Sequence, residues 1–538
     1  MSLKELSSDL ISRYGVASSN RDMQRSFLND AYKYIRPNSN LFDGTGPVVQ
    51  SQGKQKNVEV YDLTAALAAR QFVSKMHSVL TPPYVKWAEL TAGFSFESTS
   101  DDDDEQKSAG LVKLKEVLQL NTDILFNYIQ NSRFELAVNE AYADLIMGTA
   151  AIKIEEGSDE QPLLFSSVPL AALALEESPD GTIRTIWMDF KLNSDEIKEL
   201  WPDAILPDSL VNRKRQSKSK VVTGTIWRPK TKDYYYYVSV GNNIIFDEEF
   251  ESSPWIAMRW NVLAGETWGR GIAHDVMPTV KSLNKMVELM FRATEISIAP
   301  PMLGYSDDVM NISNLVIAPN TIIPISRSSM SQSPLIPLDI KPNVQLGDMS
   351  IQQLQNLINK AFLADPIGQM DDPTKTATEI DYRERLLLEE IGPAFGRLQA
   401  EFFVPLIERC IFILKKKGFM DPVEINGKEV SVKFSSPLAR TQEKNDLQSF
   451  GTATQALASL YGELTPLTVD FVKAVNFVAD KSGSKRNLFK DNAELAEIEA
   501  KIMDKLDQAS QPQQGQPDVP QQLPQAASAF QGQDQGGE

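Results

Sequence analysis

The chain has 538 residues, 42% hydrophobic and 23% charged, with a formal net charge of −18. This is ordinary globular composition, with apolar material for a large core in three or four units at about 150 residues each. The acidity argues against a protein that lives by gripping phosphates, because that affinity needs clustered Lys and Arg, but it leaves room for a wall past which DNA slides with little drag.

Met1 to Tyr14 mixes charged and apolar residues at helical spacing and lacks the uninterrupted apolar stretch of a signal peptide. No segment reaches the roughly 20 apolar residues of a membrane span, so a soluble, intracellular product is expected. Residues 1–36 read as a helix ended by Arg36-Pro37, followed by a loop rich in Gly, Asn and Gln to Lys56. Residues 59–80 resume helical periodicity, with Leu63, Leu67, Phe72, Met76 and Leu80 as candidate buried positions, until Thr81-Pro82-Pro83 stops the helix. Trp87 to Leu90 reads as a short strand. The acidic run Asp101–Glu105 is read as a solvated helix cap in preference to a metal site. Leu111, Leu114, Leu118, Leu125 and Tyr128 then make one helical face, and Phe134 to Thr149 is a further helix.

From 150 to 265 the texture changes to strands: Ala151–Glu155, Thr182–Leu192, Thr223–Trp227, and Asp233–Val240 with Ile244–Glu249 about the turn Gly241-Asn242-Asn243. Tyr234 to Tyr237 could stack nucleobases, but consecutive strand residues face opposite ways, and sheet packing is the preferred reading. The basic cluster Arg213-Lys214-Arg215 with Lys218 and Lys220 reads as a solvated loop.

Helices return after Gly271, with Pro278 expected in a first helical turn. Val280, Leu283, Val287 and Met290 mark an apolar face. Lys281, Lys285, Glu288, Arg292 and Glu295 form a polar stripe along about 20 residues, roughly 30 Å. Residues 302–347 show no helical period and read as short strands and loops. Ile351, Leu354, Ile358 and Phe362 define another amphipathic helix, stopped at Asp365-Pro366 and followed by the polar segment Gly368 to Lys375. Thr376-Ala377-Thr378-Glu379 is a capping box opening a long helix to Lys417, with kinks expected at Pro393 and Pro405 and Gly418 as its stop. Helices follow from about 443 to 507. From Gln508 the chain is Gln-, Pro- and Gly-rich and reads as a disordered tail.

The search for chemistry finds little. Cys410 lies in an apolar run and reads as a core residue; no intrachain disulfide is possible. His77 and His274 sit in no metal spacing; His77 reads as a structural residue and His274 as a cap or solvent contact. In Gly46 to Gln55 six residues separate the glycines and Gln follows Gly53-Lys54, so the phosphate-loop pattern fails in length and hydroxyl. No catalytic, metal or cofactor residue is assigned; a structural role is favoured over a nucleic-acid enzyme, and the runner-up within that role is another virion structural protein such as a tail adaptor.

Four segments carry a resemblance. They are Tyr61-Asp62 through Leu80-Thr81-Pro82-Pro83 to Trp87 and Leu90, and Phe134 through Glu140-Ala141-Tyr142-Ala143-Asp144 to Gly148-Thr149-Ala150. The third is Pro254-Trp255-Ile256-Ala257-Met258-Arg259-Trp260 with Gly265-Glu266-Thr267-Trp268-Gly269-Arg270-Gly271, and the fourth is Thr376 to Ile380. In this order, over about residues 20 to 480, the chain resembles the head-to-tail connector (portal) family of short-tailed bacteriophages. The resemblance implies an α+β, mainly helical portal fold and a ring of twelve subunits around a channel for double-stranded DNA. Residues 1–270 and 366–442 would form the wing, 271–298 and 348–365 the stem helices, 299–347 the clip and 443–507 the crown. Gly368 to Lys375 would be the tunnel loop, with Asp371, Asp372, Thr374 and Lys375 at its tip. The implied partners are terminase, tail adaptor, capsid and scaffolding proteins. The implied location is the capsid vertex of the virion, after assembly in the host cytoplasm. The stripe from Lys281 to Glu295 supplies candidate channel residues, or else a solvated face.

Overall fold

The computed structural model describes residues 3–37, 59–83, 85–91, 105–207, 218–305, 321–325, 335–337, 344–364, 391–392, 394–420, 431–434, 437–461, 471–482 and six residues within 494–501. Arg213-Lys214-Arg215, Asp101–Asp104, the capping box at Thr376, Pro393, the segment Gly368–Lys375 and the tail from Gln508 lie outside them. Of that basic cluster, Lys220 lies in the strand Ser219–Arg228 and pairs with Asp189 at 3.0 Å, so it is not part of a solvated loop. The chain divides into two compact units, Met1–Ala439 and Arg440–Glu538.

The first unit mixes helices and strands. Helix α1, Leu3–Tyr34, serves two cores. Its second half contributes Leu28, Ala31 and Tyr32 to the main core, which also holds α2 (Thr64–Leu80), α3 (Glu105–Gln130) and α4 (Phe134–Leu145). Helix α2 begins at Thr64, where the Asp62 carboxylate accepts the Thr64 N–H at 2.8 Å. Leu63 and Leu67 are therefore exposed, against expectation, and Ala65, Ala68, Ala69 and Phe72 form the buried face. Small residues there admit α4 closely, a packing requirement that periodicity alone does not reveal. The expected helix to Thr149 ends at Leu145. Gly148 turns the chain at φ +108, so Thr149 opens a strand.

Three strands pair as β3–β2–β9: β2 is Thr149–Glu156, β3 Leu163–Ser167 and β9 Trp255–Arg259. Five more form the antiparallel sheet β4–β5–β6–β7–β8: Leu173–Glu177, Ile183–Leu192, Ser219–Arg228, Asp233–Val240 and Asn243–Phe250. Gly241 supplies a left-handed turn at φ +61, and Asn243 already belongs to β8. The short strands β3, β4 and β9 and helix α5 (Ser194–Leu200, with an Asn193 capping box) escaped the sequence reading. β4 and β9 are short buried apolar runs without the alternation that marks a strand, and β3 alternates over only five residues. β1 (Ala88–Thr91) pairs antiparallel with β13 (Ser431–Phe434).

The tyrosine run behaves as its strand period dictates. Tyr235 and Tyr237 stack on one face, where the Trp187 indole donates to the Tyr237 hydroxyl at 2.8 Å and the first half of α1 covers them through Leu10 and Ala17. Tyr236 points the other way, among Phe246, Phe250 and Trp255. These rings are core, so the nucleobase-stacking reading fails. Arg13–Glu176 and Arg21–Asp189 ion pairs, both at 2.8 Å, fasten α1 to this sheet.

The long helix meets its prolines in an unexpected way. Helical residues to Leu398 pass into a π-helical turn, Gln399–Phe403, and then α8, Val404–Lys416. The Val404 N–H donates to the Gln399 carbonyl, and Pro405 sits in the first turn of α8, where no donor is needed. The kink expected at Pro405 is thus replaced by a widened turn. Cys410 is fully buried and its thiol pKa is pushed up by burial. Gly418, at φ +75, ends the helix as expected. The second unit holds most of α9 (Pro437–Tyr461), which begins earlier than the 443 expected, and α10 (Phe471–Ser482). Its Phe450 and Phe477 rings lie 5.2 Å apart.

Candidate functional site

The polar stripe lies on α6, Ile272–Ile298, a helix of 27 residues and so about 40 Å long; it runs between the ends expected at Gly271 and Ala299 and exceeds the roughly 20 residues ascribed to the stripe. Helix α7, Val344–Ala361, packs beside it. Gly347 permits the approach: a Cβ there would lie 2.7 Å from the Met290 sulfur. Between the two helices the chain forms a small sheet in the order β11–β10–β12, where β10 is Met302–Tyr305, β11 Ile322–Ile325 and β12 Leu335–Pro337. This bears out the short strands read between the helices.

The root of α6 is locked by three glycines. A Cβ on Gly148 would lie 2.2 Å from the Gly269 carbonyl oxygen, and one on Gly271 would lie 2.2 Å from the Ile146 carbonyl oxygen. The Ala273 N–H donates to Ile146 at 3.0 Å and the Trp260 N–H to Gly148 at 2.9 Å, joining helix to sheet. The Gly-rich segments singled out in the sequence are thus the joint between the sheet and α6. Pro278 lies in the second turn, not the first, because α6 starts at Ile272.

His274 completes that joint. Its Nδ1 accepts the Gly271 N–H at 3.2 Å and its ring stacks on Phe27 of α1 at 3.7 Å between centroids. Burial, aided by the Arg270 guanidinium, holds its pKa below the ordinary value. A protonated Nδ1 could not accept, and a cation here opposes the helix dipole. The unfolded ring therefore takes up its proton first. The contact's stability is complete above about pH 6.5 and is lost as pH falls below that value. Denaturant midpoints at pH 7.5 and 5.5 should show this loss in the native chain and a smaller one in His274→Asn.

One buried side chain, Asn284, ties the middle of α6 to the segment before α2. Its Oδ1 accepts the Tyr61 N–H at 2.7 Å and its Nδ2 donates to the Glu59 carbonyl at 3.1 Å. Gln355 of α7 donates to Asp62 at 3.0 Å, so Tyr61-Asp62, noted in the sequence, bridges both helices.

Four of the five stripe residues are exposed and Glu288 is half-buried beside them, but the cations are not free. Lys281 pairs with Asp30 of α1 at 2.5 Å, Lys285 with Glu288 at 2.9 Å and Arg292 with Glu288 at 2.5 Å. These pairs hold the Glu288 carboxyl below its usual pKa range. Among the described residues Glu295 has no ion-pair partner. Sequence reasoning missed Asn284 and the Asp30 contact, since neither residue has a local signal. Among the described residues no group of His, Cys, Asp and Glu is placed to hold a metal, and no helix is long and apolar enough to cross a membrane.

The model of the bacteriophage head-to-tail connecting protein family matches residues 7–489. The chain belongs to that family. Among its connector relatives it is similar to the portal protein of Salmonella phage epsilon15, 23% identical over 474 residues, which span 80% of this chain and 79% of the relative. It is also similar to the portal protein of Enterobacteria phage T3, 21% identical over 391 residues, 71% of each chain.

Proposed function

We propose that this chain is the portal subunit at one capsid vertex. In this reading it forms a twelve-membered ring through which double-stranded DNA is packaged by the terminase motor and later released through a tail adaptor. The observation that carries the reading is the α6–small sheet–α7 hairpin, rooted in a glycine joint, within a connector-family chain. In this reading α6 and α7 are the stem, residues 299–347 the clip, 1–270 and 366–442 the wing, and 443–507 the crown; capsid and scaffolding proteins contact the ring during assembly in the host cytoplasm. On the same reading Asp371, Asp372, Thr374 and Lys375, which lie outside the described residues, would be the tunnel-loop tip. The role is structural: no nucleotide loop was found in the sequence, so the terminase supplies the energy.

The stripe of Lys281, Lys285, Glu288, Arg292 and Glu295 faces the channel. Glu288 pairs with both Lys285 and Arg292 and offsets one of their two charges, which limits the attraction each can offer a passing phosphate. A conduit benefits from such weak, evenly spaced contacts. Lys281 is engaged with Asp30, so the informative change is Lys285→Glu with Arg292→Glu. DNA packaging in an assembly assay should fall several-fold while rings persist by negative-stain imaging. Unimpaired packaging would remove the phosphate role, and an absence of rings from the native chain would remove the portal reading.

A further inference from the structure

The apolar face of α6 continues beyond the residues that cover it. Val276, Val280 and Leu283 are buried, and Val287 is half-buried. At continuing spacings of four and seven, Phe291 and Ile298 fall on the same side of the helix, yet they are 60% and 80% exposed. Tyr61, itself exposed, lies beside Phe291 at 6.4 Å between ring centroids and widens this flank. Leu289 is 53% exposed on another side. At ~100° per residue, Leu289 and Phe291 point about 160° apart. Helix α7 occupies the side marked by Met290, and the polar stripe occupies the side opposite it. The distal half of α6 therefore has an apolar flank to each side of its stripe.

We propose that the Phe291–Ile298 flank of one copy docks on the Leu289 flank of the next, making the distal half of α6 the seam between neighbours. This rests on the portal reading above. Three observations favour a second copy as the occupant. The flanks lie on opposite sides of one helix, as a head-to-tail contact requires. Leu289 and Phe291 differ by only about 3 Å in height along the axis, so copies can repeat sideways and close without climbing into a filament. The rims are complementary: Glu295, unpaired among the described residues, borders the Phe291 flank, whereas Lys285 and Arg292 border the Leu289 flank. Such docking also turns every stripe to the same face of the ring.

Cysteine cross-linking of the full chain tests the seam. Cys410, the single native thiol, is fully buried and gives a quiet background. Thiols two residues apart on a helix face away from each other and cannot join within one chain. Under mild oxidation, Leu289→Cys with Phe291→Cys should give a ladder of covalent multimers on a non-reducing gel. A mixture of the two single variants should stop at dimers. Rings of the double variant seen by negative stain without a ladder would overturn the seam and leave the portal reading standing. If the pair disturbs folding, Phe291→Asp reads the same contact: a folded monomer by light scattering supports the seam, and rings at the native yield overturn it.

Discussion

Gly271→Ala is expected to cost about 3 kcal/mol or more, because the added methyl meets backbone that cannot swing aside. Its Cβ would lie 2.2 Å from the Ile146 carbonyl oxygen and 2.4 Å from the Gly148 nitrogen. Relief requires separating the 146–149 turn from the start of α6. That movement would break the Ala273–Ile146 and Trp260–Gly148 hydrogen bonds. Gly148→Ala should be at least as severe, since it adds about 1–3 kcal/mol of left-handed backbone strain at φ +108 to a similar clash. Urea midpoints give the loss directly. Gly15 provides the contrast: it lies within α1 with nothing within 4 Å of its would-be Cβ, so Gly15→Ala should gain about 0.5–1 kcal/mol. If Gly271→Ala unfolds at the native midpoint, the glycine joint is not what holds α6 to the sheet.

Glu401→Leu is expected to destabilise the first unit by up to about 3–5 kcal/mol, the usual cost of removing a buried charge's partner, with Glu177 at 3.5 Å left as the one remaining carboxylate beside Arg259 among the described residues. Arg259 is 1% exposed by side chain, and its Nη2 donates to Glu401 at 2.7 Å. Its Nε is 3.2 Å from each Glu401 carboxylate oxygen, and its backbone N–H reaches the same carboxylate at 3.1 Å. The Gly181 and Thr267 carbonyls accept its other donors at 2.8 and 3.2 Å. Arg259 thus gathers β9, two loops and the π-helical turn around one guanidinium. Arg259→Met combined with Glu401→Leu should be less damaging than the sum of the single changes, since no lone charge then remains buried. A double-mutant cycle in urea measures the coupling. A coupling near zero would show that the pair contributes no more than neighbouring packing.

The helical hairpin illustrates what could be read directly. The stripe from Lys281 to Glu295 needs only a 3.6-residue repeat, and all five residues share one side of α6. Gly418 and the 241–242 turn were equally legible, because a left-handed residue leaves a chemical mark in the choice of glycine. The exposed Leu63 and Leu67 were misread because α2 uses alanines as its buried face. Periodicity counts hydrophobicity, whereas close helix packing selects for small volume. The π-helical turn was equally hidden: Pro405 announces a missing donor but does not say how the chain accommodates it.

The sequence by itself determined much of the local alphabet of this protein: the long helices and longer strands in order, the stripe of α6, the glycine stops and the motifs of the connector family. These follow from backbone stereochemistry and from repeats a few residues long. Only the tertiary structure decided that Lys281 is held by Asp30, that Asn284 binds the residues before α2, and that Gly148, Gly269 and Gly271 meet backbone against backbone. Those contacts join residues far apart in the chain, and the distance between them depends on how all the intervening elements pack.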